Sequence, residues 1–248
     1  MPKLNAATME QQALPTNNYG YSATRLEDLG ATEYTLVSLI IDVSSSVMGF
    51  GSEMEDAIKQ IIQACQKSPR ADNLMVRITT FNGLYVDELH GFKLLEKCNV
   101  GNYTGSLNIS GSTNLYDACI EGINAVVHYA QTLSANDYSS NAIVIFITDG
   151  EDNKSSSSST MVKDALRKAV QDEDLESIVS ILVGVNTEYS GVSSALSNFQ
   201  KTAEITQYVE IQNADAKSFA KLASFVSKSI SAQSQSLGSG GPSKALTF

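Results

Sequence analysis

The sequence predicts an α/β fold, a doubly wound, Rossmann-like, mainly parallel sheet of about six strands with one antiparallel edge strand and helices on both faces. Three observations predict this class. Short apolar, β-branched runs recur along the chain, as is typical of strands that are buried on both faces. Stretches with apolar residues at helical spacing separate most of these runs. The pair Asn82-Gly83 follows the second run, which predicts a hairpin and therefore one antiparallel strand.

The strands and helices alternate along most of the chain. The run from Tyr34 to Ile41 predicts the first strand, which stops at Asp42. From Met54 to Cys65 the apolar residues recur with the spacing of one helix face, which predicts the first helix. Further strands are predicted at 74–81, 85–89, 142–148, 178–185 and 207–211, and further helices at 116–130, 161–169, 192–199 and 219–230.

The length and the local composition indicate one domain with two less regular ends. The chain corresponds to about 1.7 domains of typical size, which allows a single large domain, and we expect that domain at residues 32–231. Residues 1–31 are rich in Asn, Gln, Thr and Ala and predict a partly ordered N-terminal arm. Residues 232–248 predict a flexible tail that is rich in Ser and Gly.

The charge balance limits the classes of partner. Lys and Arg number 17 and Asp and Glu number 27, so the formal net charge is −10. Nucleic acid and anionic lipid attract basic surfaces, so we expect neither a nucleic-acid partner nor a membrane partner. Three cysteines without a C-x-x-C pair indicate no zinc knuckle and no disulfide framework. The apolar runs are shorter than a membrane span, and we therefore expect a cytoplasmic protein.

Oxygen-bearing side chains follow the predicted strands at the edge where binding sites form in such sheets. Asp42, Ser44 and Ser46 alternate after the first strand, so they could point to one side and face a single ion. Thr113 precedes a predicted helix, and Asp149 follows the strand at 142–148. Carboxylates and hydroxyls are hard ligands that suit Mg²⁺, Mn²⁺ or Ca²⁺ and do not suit zinc. The set leaves at least one ligand position open, which a Glu or Asp of another protein would fill.

Three separated motifs in this set resemble those of a known family. They are Asp-x-Ser-x-Ser at 42–46, the Thr of Gly-Ser-Thr-Asn-Leu-Tyr-Asp at 111–117, and Ile-Thr-Asp-Gly at 147–150. Their order and spacing are similar to the metal-ion-dependent adhesion site of the von Willebrand factor type A domain, and the resemblance covers residues 32–231. It implies a Rossmann-like sheet, a divalent cation, usually Mg²⁺, held by these five residues, and protein binding without catalysis.

The resemblance also suggests a subtype and a partner. The chain looks most similar to intracellular bacterial or phage members, including those found beside tellurite-resistance genes. An AAA+ ATPase or a stress-response or phage protein is therefore the expected kind of partner. The residues expected on the rim that contacts it are Val47, Met48, Phe50, Asn114 and Glu151.

Two alternatives stay open at this point. A metal-dependent phosphohydrolase would use Asp42 as its nucleophile, but positions 43–46 supply only Val and Ser and no second acid for proton transfer. We therefore expect no enzyme activity. A structural or virion-associated protein would carry the metal site as a vestige and use its two long ends for assembly.

Overall fold

The computed structural model describes residues 2, 4–14, 20–171, 173–188, 191–239 and 246–248. They form one eight-stranded sheet in the order β1-β2-β5-β4-β3-β6-β7-β8. The strands are β1 (Met9–Ala13), β2 (Gly20–Thr24), β3 (Glu33–Asp42), β4 (Leu74–Phe81), β5 (Val86–Leu94), β6 (Ser139–Thr148), β7 (Ile178–Val185) and β8 (Gln207–Ile211).

Five strands, β3, β4, β6, β7 and β8, run parallel in the body of the sheet. In β3, β4, β6 and β7 nearly every residue is buried because helices cover both faces, whereas β8 at the end of the sheet is only partly buried. β5 turns back antiparallel to β4, as the Asn82-Gly83 pair predicts. The predicted α/β class, with a mainly parallel sheet, is confirmed.

The helices lie where the apolar spacing predicts them. They are α1 (Gly51–Gln66), α2 (Leu115–Ser134), α3 (Ser159–Gln171), α4 (Val192–Thr202) and α5 (Ala216–Ser239). The apolar sides of α1 and α5 pack in one core layer, and those of α2, α3 and α4 pack in the layer on the other face of the sheet. The expectation of helices on both faces is therefore confirmed.

The N-terminal segment differs from the arm that its composition predicts. Residues 1–31 include β1 and β2, which pair antiparallel, and β2 then joins β5 in parallel through Ala23 and Phe92. Tyr21 anchors this ribbon, because its ring is buried and its hydroxyl bonds the imidazole of His128 on α2 at 2.8 Å. The sheet thus has eight strands instead of about six, and β1, not β5, is its outer strand. Residues 1, 3 and 15–19 of the predicted arm lie outside the described residues.

The C-terminal boundary also differs from the prediction at residue 231. α5 continues to Ser239, and polar contacts hold its last turns against the sheet. Asn141 on β6 donates to the carbonyl of Gln233 at 2.7 Å, and the Gln233 amide donates to the carbonyl of Ala142 at 3.1 Å. These contacts replace the apolar side chains whose periodicity would have predicted a longer helix. Residues 240–245 of the predicted tail lie outside the described part of the chain.

None of the helices formed by the described residues combines the length and the apolar character that a membrane span requires.

Candidate functional site

The candidate site lies where β3 and β6, two neighbours in the middle of the sheet, end side by side. The chain leaves β3 toward β4 on one side, whereas β6 lies on the other side, so the strand order changes direction here. Such a switch point leaves a crevice at the carboxyl ends of the strands. Three loops border the crevice, at residues 43–50, 106–114 and 149–158.

Hydrogen bonds join four of the five predicted metal ligands. The Ser44 and Ser46 hydroxyls lie 3.0 Å apart, and Ser46 donates to Asp149 Oδ1 at 2.8 Å. Asp42 is fully buried behind them, and its Oδ1 accepts the Ser44 amide at 2.8 Å. Its Oδ2 accepts the hydroxyl of Thr148 at 2.7 Å. The structure therefore brings Asp42, Ser44, Ser46 and Asp149 together.

The fifth predicted ligand, Thr113, is held beside the others by backbone contacts between the loops. Its amide donates to the side chain of Asn153 at 3.0 Å, and the Asn153 amide donates back to the Thr113 carbonyl at 3.0 Å. On the other side, the Ser45 amide donates to the carbonyl of Gly111 at 3.0 Å. The Thr113 hydroxyl makes no hydrogen bond with another described residue, so it is available as a ligand.

The loop that follows Asp149 also fixes the start of α2. The amide of Tyr116 donates to Asp152 at 3.0 Å, and the amide of Asp117 donates to the Ser155 hydroxyl at 3.0 Å. These acceptors satisfy amides that the first turn of a helix leaves without partners. As a consequence, the loop that carries Thr113 and the loop that carries Asp149 are fastened to each other.

Burial makes the two carboxylates of the site costly to ionise. It raises the pKa of Asp42 from 3.8 to about 6, and the nearby charge of Asp149 raises it further, while bonds from Thr148 and Ser44 oppose the change. Burial also raises the pKa of Asp149. Within the described part of the chain, no Lys or Arg forms an ion pair with either group. The site therefore has a negative charge that a cation would neutralise.

The donor set fits a hard divalent cation. It consists of two carboxylates and three hydroxyls, with no imidazole or thiolate. No cluster of three or more His, Cys, Asp or Glu side chains occurs among the described residues, so an ion here would depend on the hydroxyls. Next to Thr113, the buried Oδ1 of Asn114 has no partner among the described residues. Such an orphaned acceptor needs a donor, and a water molecule bound to an ion would supply one.

The structure corrects part of the predicted rim. Met48 is 69% exposed, and Glu151 is also exposed. Val47 and Phe50 are buried instead, because the short 3-10 helix Ser45–Gly49 turns the chain so that both side chains enter the core. There Phe50 packs on Phe219 of α5, with 6.0 Å between the ring centres. Asn114 is also largely buried, since it begins α2.

One exposed apolar residue beside the site is absent from the predicted rim. Leu84 lies at the tip of the β4–β5 hairpin and is 82% exposed. The amide of Gly83, just before it, donates to the carbonyl of Ser112 in the Thr113 loop. The sequence does mark this hairpin through Asn82-Gly83, but the pair gives no sign that the hairpin reaches the site.

Comparisons with solved structures show which proteins share this fold. The chain is similar to the pilus adhesin SpaC from Lactobacillus rhamnosus GG in its open conformation, with a TM-score of 0.59 and 11% identity over 86% of this chain and 31% of the adhesin. It is also similar to proximal thread matrix protein 1 of the mussel byssus, with a TM-score of 0.53 and 20% identity over 81% of this chain and 47% of that protein. No protein-family model and no curated protein sequence matches the chain.

A second structure of the mussel protein has a zinc-occupied MIDAS motif, the metal-ion-dependent adhesion site, and matches with a TM-score of 0.50 and 20% identity over 81% of this chain and 46% of that protein. The chain thus spans about a third of the adhesin and about half of the mussel protein. The chain shares its doubly wound α/β fold with these proteins. At these identities the likeness concerns the fold.

Proposed function

We propose that the chain is a protein-binding module that depends on a divalent cation. Mg²⁺, or in its place Mn²⁺ or Ca²⁺, is held by Asp42, Ser44, Ser46, Thr113 and Asp149, and a Glu or Asp of a partner protein completes its ligands. One observation carries this proposal: two buried carboxylates are joined through serine hydroxyls, with Ser46 2.8 Å from Asp149, and no cationic side chain of the described residues pairs with them.

The five proposed ligand residues contribute to cation binding in different ways. Both oxygens of Asp42 already accept hydrogen bonds, from Ser44 and Thr148, so Asp42 orients the Ser44 loop and adds negative charge from behind. The Ser46 hydroxyl bonds Asp149, and Thr113 lies on a neighbouring loop, where it would add a second hydroxyl. When bound, the cation supplies the positive charge that attracts an outside carboxylate. Because Asp42 acts through its hydrogen-bond partners, Asp149 would be the carboxylate of this set in direct contact with the ion, and part of the +2 charge would remain to attract an outside carboxylate at the open position.

We also propose that the chain is not an enzyme. A phosphohydrolase would need Asp42 to reach a phosphorus atom, whereas this carboxylate is fully buried and both of its oxygens accept hydrogen bonds. The structural or virion-associated alternative relied on two unstructured ends. β1, β2 and the last turns of α5 instead pack on the sheet, which removes the observation that favoured it.

The more specific predictions stay part of the proposal. They are an intracellular bacterial or phage subtype similar to the tellurite-resistance-associated proteins, a cytoplasmic location, and a partner that is an AAA+ ATPase or a stress-response or phage protein. The resemblance of the three motifs supports them. The net charge of −10 supports the expectation that neither nucleic acid nor a membrane is the partner.

Titration calorimetry with Mn²⁺ and Mg²⁺ on the full chain tests the metal site. We expect one ion per wild-type chain and binding at least about tenfold weaker in Asp42→Ala and Thr113→Ala. Thr132→Ala is the matched control, because this hydroxyl bonds a carbonyl within α2, away from the site. Equal metal binding by wild type and Asp42→Ala would refute the proposal.

Thr113→Ala separates a ligand role from a structural one. The Thr113 hydroxyl has no partner among the described residues, so its removal should leave the melting temperature in chelator nearly unchanged. A fall of many degrees would show that the side chain supports the loop instead. In that case weaker metal binding by this variant would not identify a ligand.

A further inference from the structure

The exposed apolar side chains are not spread evenly over the molecule. Among the described residues, four large apolar side chains are strongly exposed: Met48, Leu84, Met161 and Val170. Met48 follows the Ser44–Ser46 loop, and Leu84 lies beside the Thr113 loop, whereas Met161 and Val170 are on α3. Single exposed apolar residues are ordinary, but Met48 lies on a loop that borders the candidate site, and Leu84 lies on a hairpin that is bonded to another such loop.

The hairpin presents Leu84 in a fixed position. The Asn82 side chain accepts the amides of Leu84 and Tyr85 at 2.9 and 3.2 Å, which closes the turn. The Gly83 amide donates to the Ser112 carbonyl at 2.6 Å. A side chain at Gly83 would collide with Ser112, since a Cβ there would lie 2.0 Å from its hydroxyl oxygen, so glycine is needed for this approach. A contact residue that is already ordered loses little entropy when a partner binds.

A partner could reach Leu84 and the metal ligands at the same time. Leu84 follows Gly83, and Thr113 follows Ser112, so their Cα atoms are at most about 14 Å apart through the bonded pair. An extended segment of about four residues covers this distance. Beside the hairpin, the aliphatic part of Lys154 comes within 3.0 Å of the position of a Cβ at Gly83. Its ammonium group is exposed and forms no ion pair within the described ranges.

We infer that Leu84 is a specificity-determining residue of the partner-binding face. The partner segment that it selects is extended and acidic, and it carries an apolar side chain within about four residues of the carboxylate that binds the metal. The carboxylate goes to the cation, the apolar side chain packs on Leu84, and Lys154 favours further negative charge in the segment. This inference rests on the proposed function, because the carboxylate needs the cation to bind.

Selection of displayed random short peptides on the full chain tests the inference. The wild type is used with Mg²⁺ and with chelator, and Leu84→Ser is used with Mg²⁺. We expect the wild type with Mg²⁺ to enrich peptides that combine Asp or Glu with a nearby apolar residue. Leu84→Ser should still enrich the acid but lose the apolar preference, and a peptide selected on the wild type should bind it roughly tenfold more weakly.

Val170→Ser on α3 is the matched control, because Val170 is as exposed as Met48 and lies on a helix away from the hairpin. Val170→Ser should enrich the same kinds of peptide as the wild type. An apolar preference that persists unchanged in Leu84→Ser, or that never appears beside the acid, would overturn the inference and leave the proposed function standing. If the wild type enriches no acidic peptide that depends on Mg²⁺, the proposed function fails and the inference fails with it.

Discussion

Replacement of Asp42 by Asn should stabilise the metal-free protein at neutral pH. Burial raises the pKa of Asp42 from 3.8 to about 6, so the ionised carboxylate costs about 3 kcal/mol of folding free energy at pH 8. Asn keeps the acceptor for the Ser44 amide but weakens the bond from Thr148, which costs about 1 kcal/mol. The net gain is about 2 kcal/mol, or a rise of about 4–8 °C in Tm for a chain of this size.

The sign of the pH dependence follows from the same shift. Because the folded pKa is the higher one, the wild-type penalty is absent below pH 3.8, grows between pH 3.8 and about 6, and stays constant at higher pH. The advantage of Asp42→Asn in chelator should therefore fall from about 2 kcal/mol at pH 8 to roughly 0.6 kcal/mol at about pH 5. Scanning calorimetry in chelator at both pH values measures this difference in stability between Asp42→Asn and the wild type. A lower Tm for Asp42→Asn at pH 8 would refute the reasoning and make Asp42 a stabilising group in its own right.

Three other outcomes are expected. In scanning fluorimetry, a divalent cation at about a hundred times the wild-type Kd should raise the wild-type Tm, because it stabilises the folded state by about 2.7 kcal/mol. The same concentration should stabilise Asp42→Asn by about 1.4 kcal/mol or less. Gly91→Ala should release β2 from β5, since its Cβ would lie 1.8 Å from the Ser22 carbonyl oxygen, whereas Gly49→Ala meets no atom within 4 Å. Limited proteolysis should therefore cut within β2, at residues 20–24, more readily in the first variant than in the second. Glu121→Gln should lower urea stability by about 1–3 kcal/mol, because it removes one charge from the buried pair with Arg77 at 2.6 Å, and an unchanged midpoint would contradict that view.

The body of the fold could be predicted from the sequence because its signals are local. The runs that became β3, β4, β6 and β7 are mostly apolar and rich in β-branched residues, as is typical of strands buried on both faces. In each helix, the apolar residues that become buried recur in the sequence at helical spacing. The site motifs could be found for the same reason, since each is a short stretch that directly follows a strand or precedes a helix.

The remaining features depend on contacts between distant residues. β2 is held by the bond of Tyr21 to His128, and the last turns of α5 are held by Gln233, so apolar periodicity is a poor guide to either segment. Phe50 is buried because it meets Phe219 on a helix far along the chain. Leu84 gains its place beside the site through one backbone bond between Gly83 and Ser112. No local sequence pattern predicts such contacts between residues that are distant in the chain.

Both outer strands of the sheet are poor templates for strand addition by another chain. On one side β1 is short and polar, with Glu10 and Gln12 exposed or nearly so. On the other side, the side chain of Gln207 at the start of β8 donates to the carbonyl of Leu246, so a C-terminal piece of the chain lies against that strand. Short polar outer strands resist aggregation. The two outer strands therefore disfavour edge-to-edge pairing of the sheets of neighbouring molecules, even at high protein concentration.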